Sequence, residues 1–292
     1  MDRLALTKAG KPNEVWTVDF KGWFRTGDGV RVEPLTVRDL ASRYVLAVSL
    51  RRKQNVKDCR QAFEKIFRQY GLPAVIRTDN GSPFGSTGAL GLTRLSAWWI
   101  KLGIRVEFIE PGHPEQNGAH EQLHRIYQQE TAQPSGPSFK AQQRRSERWR
   151  RHYNEERPHE ALGMREPAQV YWKSRRSMPR KLKHWRYEPG WQSRLVKGKG
   201  MISFNGRNRF IGEAFESERV GLKWVRTGVW EVSFGDHLIG ELWDQDQSSG
   251  IRAVWYRKRR AKVPASSSPD GSAPVRSAHL RSTVRRTALP SV

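Results

Sequence analysis

Apolar positions along the first half of the chain fall into two alternating textures. Short runs rich in β-branched and aromatic residues predict strands at Val15–Phe20, Val32–Val37, Tyr44–Leu50, Pro73–Arg77 and Ile104–Ile109. Between the later runs the spacing becomes helical. Val56, Cys59, Phe63, Ile66, Phe67 and Tyr70 recur at helical intervals, so they line one face of a helix over about Val56–Tyr70. Gly71 suits the end of that helix. Further helices are predicted near Thr93–Leu102, Ala119–Glu130 and Phe139–Asn154. Three strands joined by short turns, followed by alternating helices and strands, predict an α/β fold: a mixed sheet flanked by helices.

The texture changes after residue 172. Residues 1–13 form a polar lead and 14–172 carry the strand–helix core with its trailing helices. Residues 173–195 are basic and predict a linker. Residues 196–256 hold short apolar runs separated by Gly and Asn (MISFNGRNRFIG, ERVGLKWV, GVWEVSF, LIGELW), which predict a small β-barrel-like domain of about five strands. Residues 257–292 are rich in Ser, Pro, Ala and Arg and predict a disordered basic tail.

Charge narrows the class of partner. Lys and Arg number 53 against 29 Asp and Glu, a net charge of +24. Such a surplus implies a polyanion, nucleic acid first, because counterion release favours it whatever the base sequence. No run approaches the roughly 20 apolar residues of a membrane span, and MDRLALTKAGKPNEVW lacks a signal-peptide core. The single cysteine, Cys59, excludes an intrachain disulfide and a Cys-rich zinc site. Trp98, Trp99, Trp224 and Trp230 are expected in packed cores, not as base-stacking platforms.

Three acids stand out against this basic background. Asp19 lies inside the first apolar strand, Asp79 directly follows a short apolar strand, and Glu121 lies one turn into a helix after Asn117-Gly118. Desolvated carboxylates must pair, protonate or hold a cation. Three that converge suit Mg²⁺ or Mn²⁺, and two such ions about 3.5–4 Å apart can serve an attacking and a leaving oxygen. Each acid alone also has a structural reading: a strand-end polar residue, an Asx turn before Asn80-Gly81, and a first-turn acid favoured by the helix dipole. The inference rests on the set.

Four stretches, VWTVDFKGWF, DLASRYVLAVSL, IRTDNGSPF and PGHPEQNGAHEQLHR, resemble in that order the catalytic core of DDE transposases and retroviral-type integrases. RHYNEERPHEALGMREPAQVY resembles the segment after this core in bacterial insertion-sequence transposases, and the likeness covers about residues 12–246. The resemblance implies an RNase H-like sheet with Asp19, Asp79 and Glu121 as catalytic ligands of two Mg²⁺ or Mn²⁺ ions. It further implies hydrolysis at DNA ends, 3′-hydroxyl strand transfer into target DNA, a homodimer or higher oligomer on DNA, no membrane, and a bacterial cytoplasmic, nucleoid-associated setting. Asp79 and Glu121 are separated by 41 residues, Asp79 and Glu115 by the family's usual 35. Glu121 is preferred because the family's glutamate sits inside the helix, three residues after the glycine, and the loop at Pro83–Gly91 can hold the extra residues.

Asn80 and Gly81 are expected to shape the turn presenting Asp79, and Asn117 and Gly118 to lead into the final helix. His113 and His120 would touch phosphate or shuttle protons, or else be turn or surface histidines. Asp39 suits turn chemistry, and Tyr153, Asn154, Arg157, Pro158 and His159 suit a clasp of the last helices on the core. Between residues 140 and 187 there are 15 Lys/Arg and 5 Asp/Glu. Arg144, Arg145, Arg148, Arg150 and Arg151 cannot share one helical face. Expected contacts to the DNA backbone are Arg125, Arg144, Arg145, Arg148, Arg151, Arg175, Arg176 and Lys181. Only about 13 residues precede the first motif, where such transposases carry helix-turn-helix domains, so an N-terminally truncated frame is expected. The alternative is a non-autonomous DNA-binding remnant that competes or hetero-oligomerises. A basic RNA- or ribosome-associated protein is a weaker reading, opposed by the three acids.

Overall fold

Burial on both faces makes β1 (Val15–Phe20) a central strand: Val15, Trp16 and Val18 are fully buried and Thr17 nearly so. The computed structural model describes residues 6–110, 113, 116, 118–246 and 250–253. β1 pairs antiparallel with β3 (Arg31–Asp39), which sets Asp19 opposite Thr36, and the short β2 (Phe24–Arg25) pairs with the start of β3. β4 (Val45–Arg51) also pairs with β3. The other edge of β1 takes β5 (Val75–Thr78) in parallel, and β5 takes β6 (Arg105–Phe108), also in parallel. The order β4-β3-β1-β5-β6, with three antiparallel strands and then two parallel ones, is the RNase H-like arrangement.

The helices begin where polar side chains can satisfy free backbone N–H groups. The Asn55 side chain accepts from Asp58 N to start α1 (Val56–Tyr70), and Gly71, at φ 79°, ends it. Thr93 and Ser96 exchange bonds in a capping box ahead of α2 (Arg94–Lys101). Phe63 and Phe67 of α1 meet Trp99 and Trp98 of α2 at ring centroids 4.9 and 5.6 Å apart, and Trp16 stacks on Phe67 at 6.0 Å. Trp98 and Trp99 are therefore core residues, as expected.

α3 (Gly118–Tyr127) is shorter than the sequence predicts, because Gln128–Ala132 forms a wider π turn. The turn absorbs an extra residue and keeps Tyr127, Thr131 and Ala132 all buried. Ser138 caps α4 (Phe139–Glu155), and a single turn, α5 (Pro167–Val170), follows. The clasp forms as expected. Asn154 accepts from Val45 N at 2.8 Å and donates to Val45 O at 2.9 Å, Arg157 pairs with Glu130 at 2.8 Å, and His159 lies against Tyr153. Asp39 also does turn work: its carboxylate accepts from Ser42 N, Ser42 Oγ and Asn13 N.

The stretch expected as a linker is held against neighbouring backbone. Ser174 N donates to Tyr70 O and Leu72 N to Arg176 O. Its last residues form β7 (Gln192–Leu195), which pairs with β10 (Arg219–Arg226). β11 (Val229–Phe234), β12 (His237–Trp243) and β13 (Arg252–Ala253) complete a five-stranded sheet, beside the hairpin of β8 (Met201–Phe204) and β9 (Arg207–Phe210). Ile202, Phe215, Val232 and Phe234 form one apolar cluster with Ala97 and Ile100 of α2. Lys101 pairs with Glu218 at 2.7 Å and Arg94 with Glu216 across the same contact.

Trp224 is not a core residue: it is 56% exposed. β10 is buried only at Val220–Leu222 and is exposed from Lys223 to Arg226, where Trp224 lies; a bulge follows between Trp224 and Arg226. Trp230, directly opposite, is half-buried with its ring edge toward Phe204. The tail expected as disordered lies outside the described residues.

Candidate active site

Parallel pairing aligns Thr17 with Arg77, so Asp19 and Asp79, each two residues further on, leave neighbouring strands at the same end. The end where parallel strands finish is where α/β sheets collect ligands. Asp19 Oδ1 accepts from Phe20 N at 2.8 Å, while Oδ2 lies 4.0 Å from His124 Nδ1. Asp79 Oδ1 is buried and has no hydrogen-bond partner, and burial pushes this carboxyl above its ordinary range. An orphaned buried carboxylate oxygen is costly unless a cation or proton completes it.

The loop after Asp79 is tightly specified. Asn80 Nδ2 donates to Ile109 O at 2.6 Å, tying the ends of β5 and β6 together. A Cβ at Gly81 would lie 3.1 Å from Asp79 Oδ2. A Cβ at Gly85 would lie 2.4 Å from Asn80 O, so this position, which the sequence reading passed over, admits only glycine. Its only sequence signal is its place just after the IRTDNGSPF run.

Helix α3 lies against β1 and supplies the opposite wall. Glu121 is exposed and lines an open cavity of about 490 Å³ with Lys21, His124, Arg125, Gln128, Gln129 and Gln133. His120, expected on the surface or at phosphate, is fully buried: its Nε2 lies 3.0 Å from Thr36 Oγ1. Its position one turn before His124 puts both rings on the inward side of α3. His124 Nε2 lies 2.8 Å from the same hydroxyl, which donates to Asp19 O at 3.0 Å. Burial first, and then neighbouring positive groups, hold His120 well below the ordinary histidine range. Burial and Lys21 bring His124 down to about 3. Lys21 Nζ donates to Gln128 Oε1 at 2.7 Å, and burial lowers its ammonium too.

Thr36, His124 and Lys21 are neighbours of Asp19 that sequence reasoning missed. Their one signal is the four-residue spacing of His120 and His124, and only the β1–β3 register brings Thr36 beneath both rings.

The structure thus joins Asp19 to His124, sets Asp79 at the adjoining strand end, and places Glu121 on the helix across from them. Among the described residues no group of three His, Cys, Asp or Glu side chains is close enough to hold a metal. The donor chemistry still fits a hard divalent cation, through two carboxylates on one sheet end and the orphaned Asp79 oxygen. Gly118 begins α3 as expected; Asn117 and Glu115 lie outside the described residues. His113 is exposed, 3.5 Å from Glu110.

The basic candidates divide by what their donors already hold. Arg144, Arg148 and Arg151 are exposed at i, i+4 and i+7 on one face of α4. Arg145 spends its guanidinium on Pro134 O and Glu130 O. Arg176 spends its own on Pro73 O, Leu102 O and Gly103 O. Arg125, Arg175 and Lys181 are exposed.

Comparison with known families meets this geometry. Residues 9–114 match an integrase core domain, residues 102–167 match a second integrase core domain model, and residues 191–249 match the C-terminal domain of IS481 family transposases. Along the chain the matched segments run in the order integrase core, then transposase C-terminal domain. An insertion element IS407 protein of Burkholderia multivorans is 30% identical over 176 residues, covering 60% of this chain and 61% of the relative. An insertion element IS476 protein of Xanthomonas euvesicatoria is 30% identical over 169 residues, covering 58% of this chain and 47% of the relative. The match thus spans about half to three fifths of these curated relatives.

Among solved structures, the HTLV-2 integrase catalytic core domain in complex with magnesium is 20% identical, with TM-score 0.41 over 56% of this chain and 99% of the other. A chain of the simian T-cell lymphotropic virus intasome in complex with PP2A regulatory subunit B56 gamma is 16% identical, with TM-score 0.47 over 88% of this chain and 84% of the other. No described helix of this chain is long and apolar enough to cross a membrane.

Proposed function

We propose that this chain is a metal-dependent polynucleotidyl transferase that cuts DNA ends and joins them to target DNA. The observation that carries the proposal is the pair Asp19 and Asp79 on adjacent parallel strand ends, one of them with an orphaned buried oxygen. Asp19 and Asp79 would hold the divalent ions, with Glu121 completing the donor set from α3. Two bound Mg²⁺ or Mn²⁺ ions would supply charge neutralisation at the phosphate and lower the pKa of the attacking oxygen.

The remaining roles belong to the chain. A water oxygen attacks a phosphodiester phosphorus and the 3′ oxygen leaves as a hydroxyl. That hydroxyl then attacks a phosphorus of target DNA, the target's own P–O3′ bond breaks, its O3′ leaves as a hydroxyl that takes up the proton the attacker gave up, and no bond to protein forms. Lys21 and Arg125 line the cavity beside Glu121 and can hold non-bridging phosphate oxygens. Asn80 and Gly85 keep Asp79 in place. Arg144, Arg148 and Arg151, with Arg175 and Lys181, offer a phosphate-backbone surface without base specificity. Joining two ends takes two such sites, so the working form is a homodimer or larger assembly on DNA.

A nicking and strand-joining assay in Mg²⁺ or Mn²⁺ tests this reading. Asp19→Asn and Asp79→Asn should each lower the rate on the order of a hundredfold or more while leaving the thermal transition in place. Undiminished activity in Asp79→Asn would overturn the assignment.

A further inference from the structure

The three hydrogen bonds that meet at the Thr36 hydroxyl place the protons of two histidines. The Thr36 hydroxyl has one proton, and it points to Asp19 O at 3.0 Å. Both imidazole Nε2 atoms, at 2.8 and 3.0 Å, must then donate to the two lone pairs of Thr36 Oγ1. In each neutral ring this leaves Nδ1 as a bare acceptor. The bare nitrogen of His120 is sealed in the interior with no partner. That of His124 faces the carboxylate Oδ2 of Asp19 at 4.0 Å, on the wall of the open cavity.

Two acceptors aimed at each other gain nothing alone, but they can share a cation. Donors about 2.0–2.2 Å from one ion lie at most about 4.3 Å apart, so this pair falls within the span of a single ion. Mg²⁺ favours an all-oxygen shell, whereas Mn²⁺ and later divalent ions accept imidazole nitrogen more readily.

We infer that His124 presents Nδ1 to the cation held by Asp19, and that it biases the site toward Mn²⁺ over Mg²⁺. The inference rests on the carboxylate reading above and adds a nitrogen ligand to it. Thr36 and His120 act as positioning residues: the shared hydroxyl locks the His124 tautomer, and the interior packing of His120 locks the helix face that carries it.

Electron spin-echo spectroscopy of the full chain, with Mn²⁺ alone as the probe, tests the inference. Directly bound imidazole gives nitrogen modulation on the Mn²⁺ signal. It should be present in the wild type and change on ¹⁵N-histidine labelling, which needs no substitution. It should vanish in His124→Gln, whose amide N–H can still donate to Thr36, and in His124→Asn. In competition titrations, the Mn²⁺-over-Mg²⁺ preference should fall about tenfold in His124→Gln.

Mn²⁺ bound to wild type without nitrogen modulation would overturn the His124 inference and leave the carboxylate reading standing. Modulation that persists in a folded His124→Gln would do the same. No Mn²⁺ binding, or binding unchanged by Asp19→Asn, would overturn the carboxylate reading and the inference with it.

Discussion

At the scale of single residues, buried polar groups decide more than exposed charges do. Asn154 bonds both the N–H and the C=O of the buried Val45, whose carbonyl also accepts from Arg150 Nη1 at 3.2 Å. Asn154→Ala should therefore cost about 1–3 kcal/mol in urea denaturation, the penalty for stranding the buried Val45 N–H, while the carbonyl keeps Arg150. The two histidines under Asp19 predict an acid sensitivity. Their folded pKa values lie below the unfolded value of 6.5, at about 3 for His124. The unfolded chain then binds more protons below pH 6.5, so stability is complete above that value and falls as pH drops toward 3. Each ring should remove up to about 1.4 kcal/mol per pH unit within that window, and denaturation at pH 7.5 and 5.5 with and without His124→Gln measures it. The Asn154 clasp was legible in the sequence; the buried histidine pair was not. His120 reads from sequence as a phosphate or surface histidine, and His124 carries no signal of its own, because the pairing that buries them runs through Thr36, more than 80 residues away.

At the scale of elements, most of the sheet was legible. Local runs such as YVLAVSL and the helical spacing from Val56 to Tyr70 carry their own signal. Boundaries shifted where tertiary contacts intervened. The helix expected through Glu130 gives way to a π turn so that Tyr127 and Ala132 can both face the interior. Trp224 escapes the core although it still pairs in register with Trp230, because β10 is exposed from Lys223 to Arg226, and composition does not show where its packed part ends. The turn after Asp79 shows how an element serves the site: Gly85→Ala would push a Cβ against the Asn80 carbonyl. That substitution should cost about 1–3 kcal/mol in thermal or chemical unfolding, and it should reduce DNA cleavage as Asp79 shifts. Full stability and activity in Gly85→Ala would show that the turn can move aside for a Cβ at this position.

At the scale of the whole molecule, the +24 charge predicts salt-sensitive DNA binding. Removing the exposed Arg144, Arg148 and Arg151 together should lower the slope of log affinity against log salt by about 3, without altering sequence preference. Arg145→Ala should cost stability instead, because its donors hold backbone carbonyls. Charge and the three acids were both legible in the sequence, but the arrangement of the acids was not. The sheet brings Asp19 and Asp79 to one end, while Glu121 stands on a separate helix. The most direct test is anomalous diffraction from crystals soaked in Mn²⁺. Mn²⁺ peaks are expected about 2.2 Å from the carboxylates of Asp19 and Asp79, with Glu121 turned toward them. Peaks confined to other acids, with Asp19 and Asp79 left bare, would contradict it.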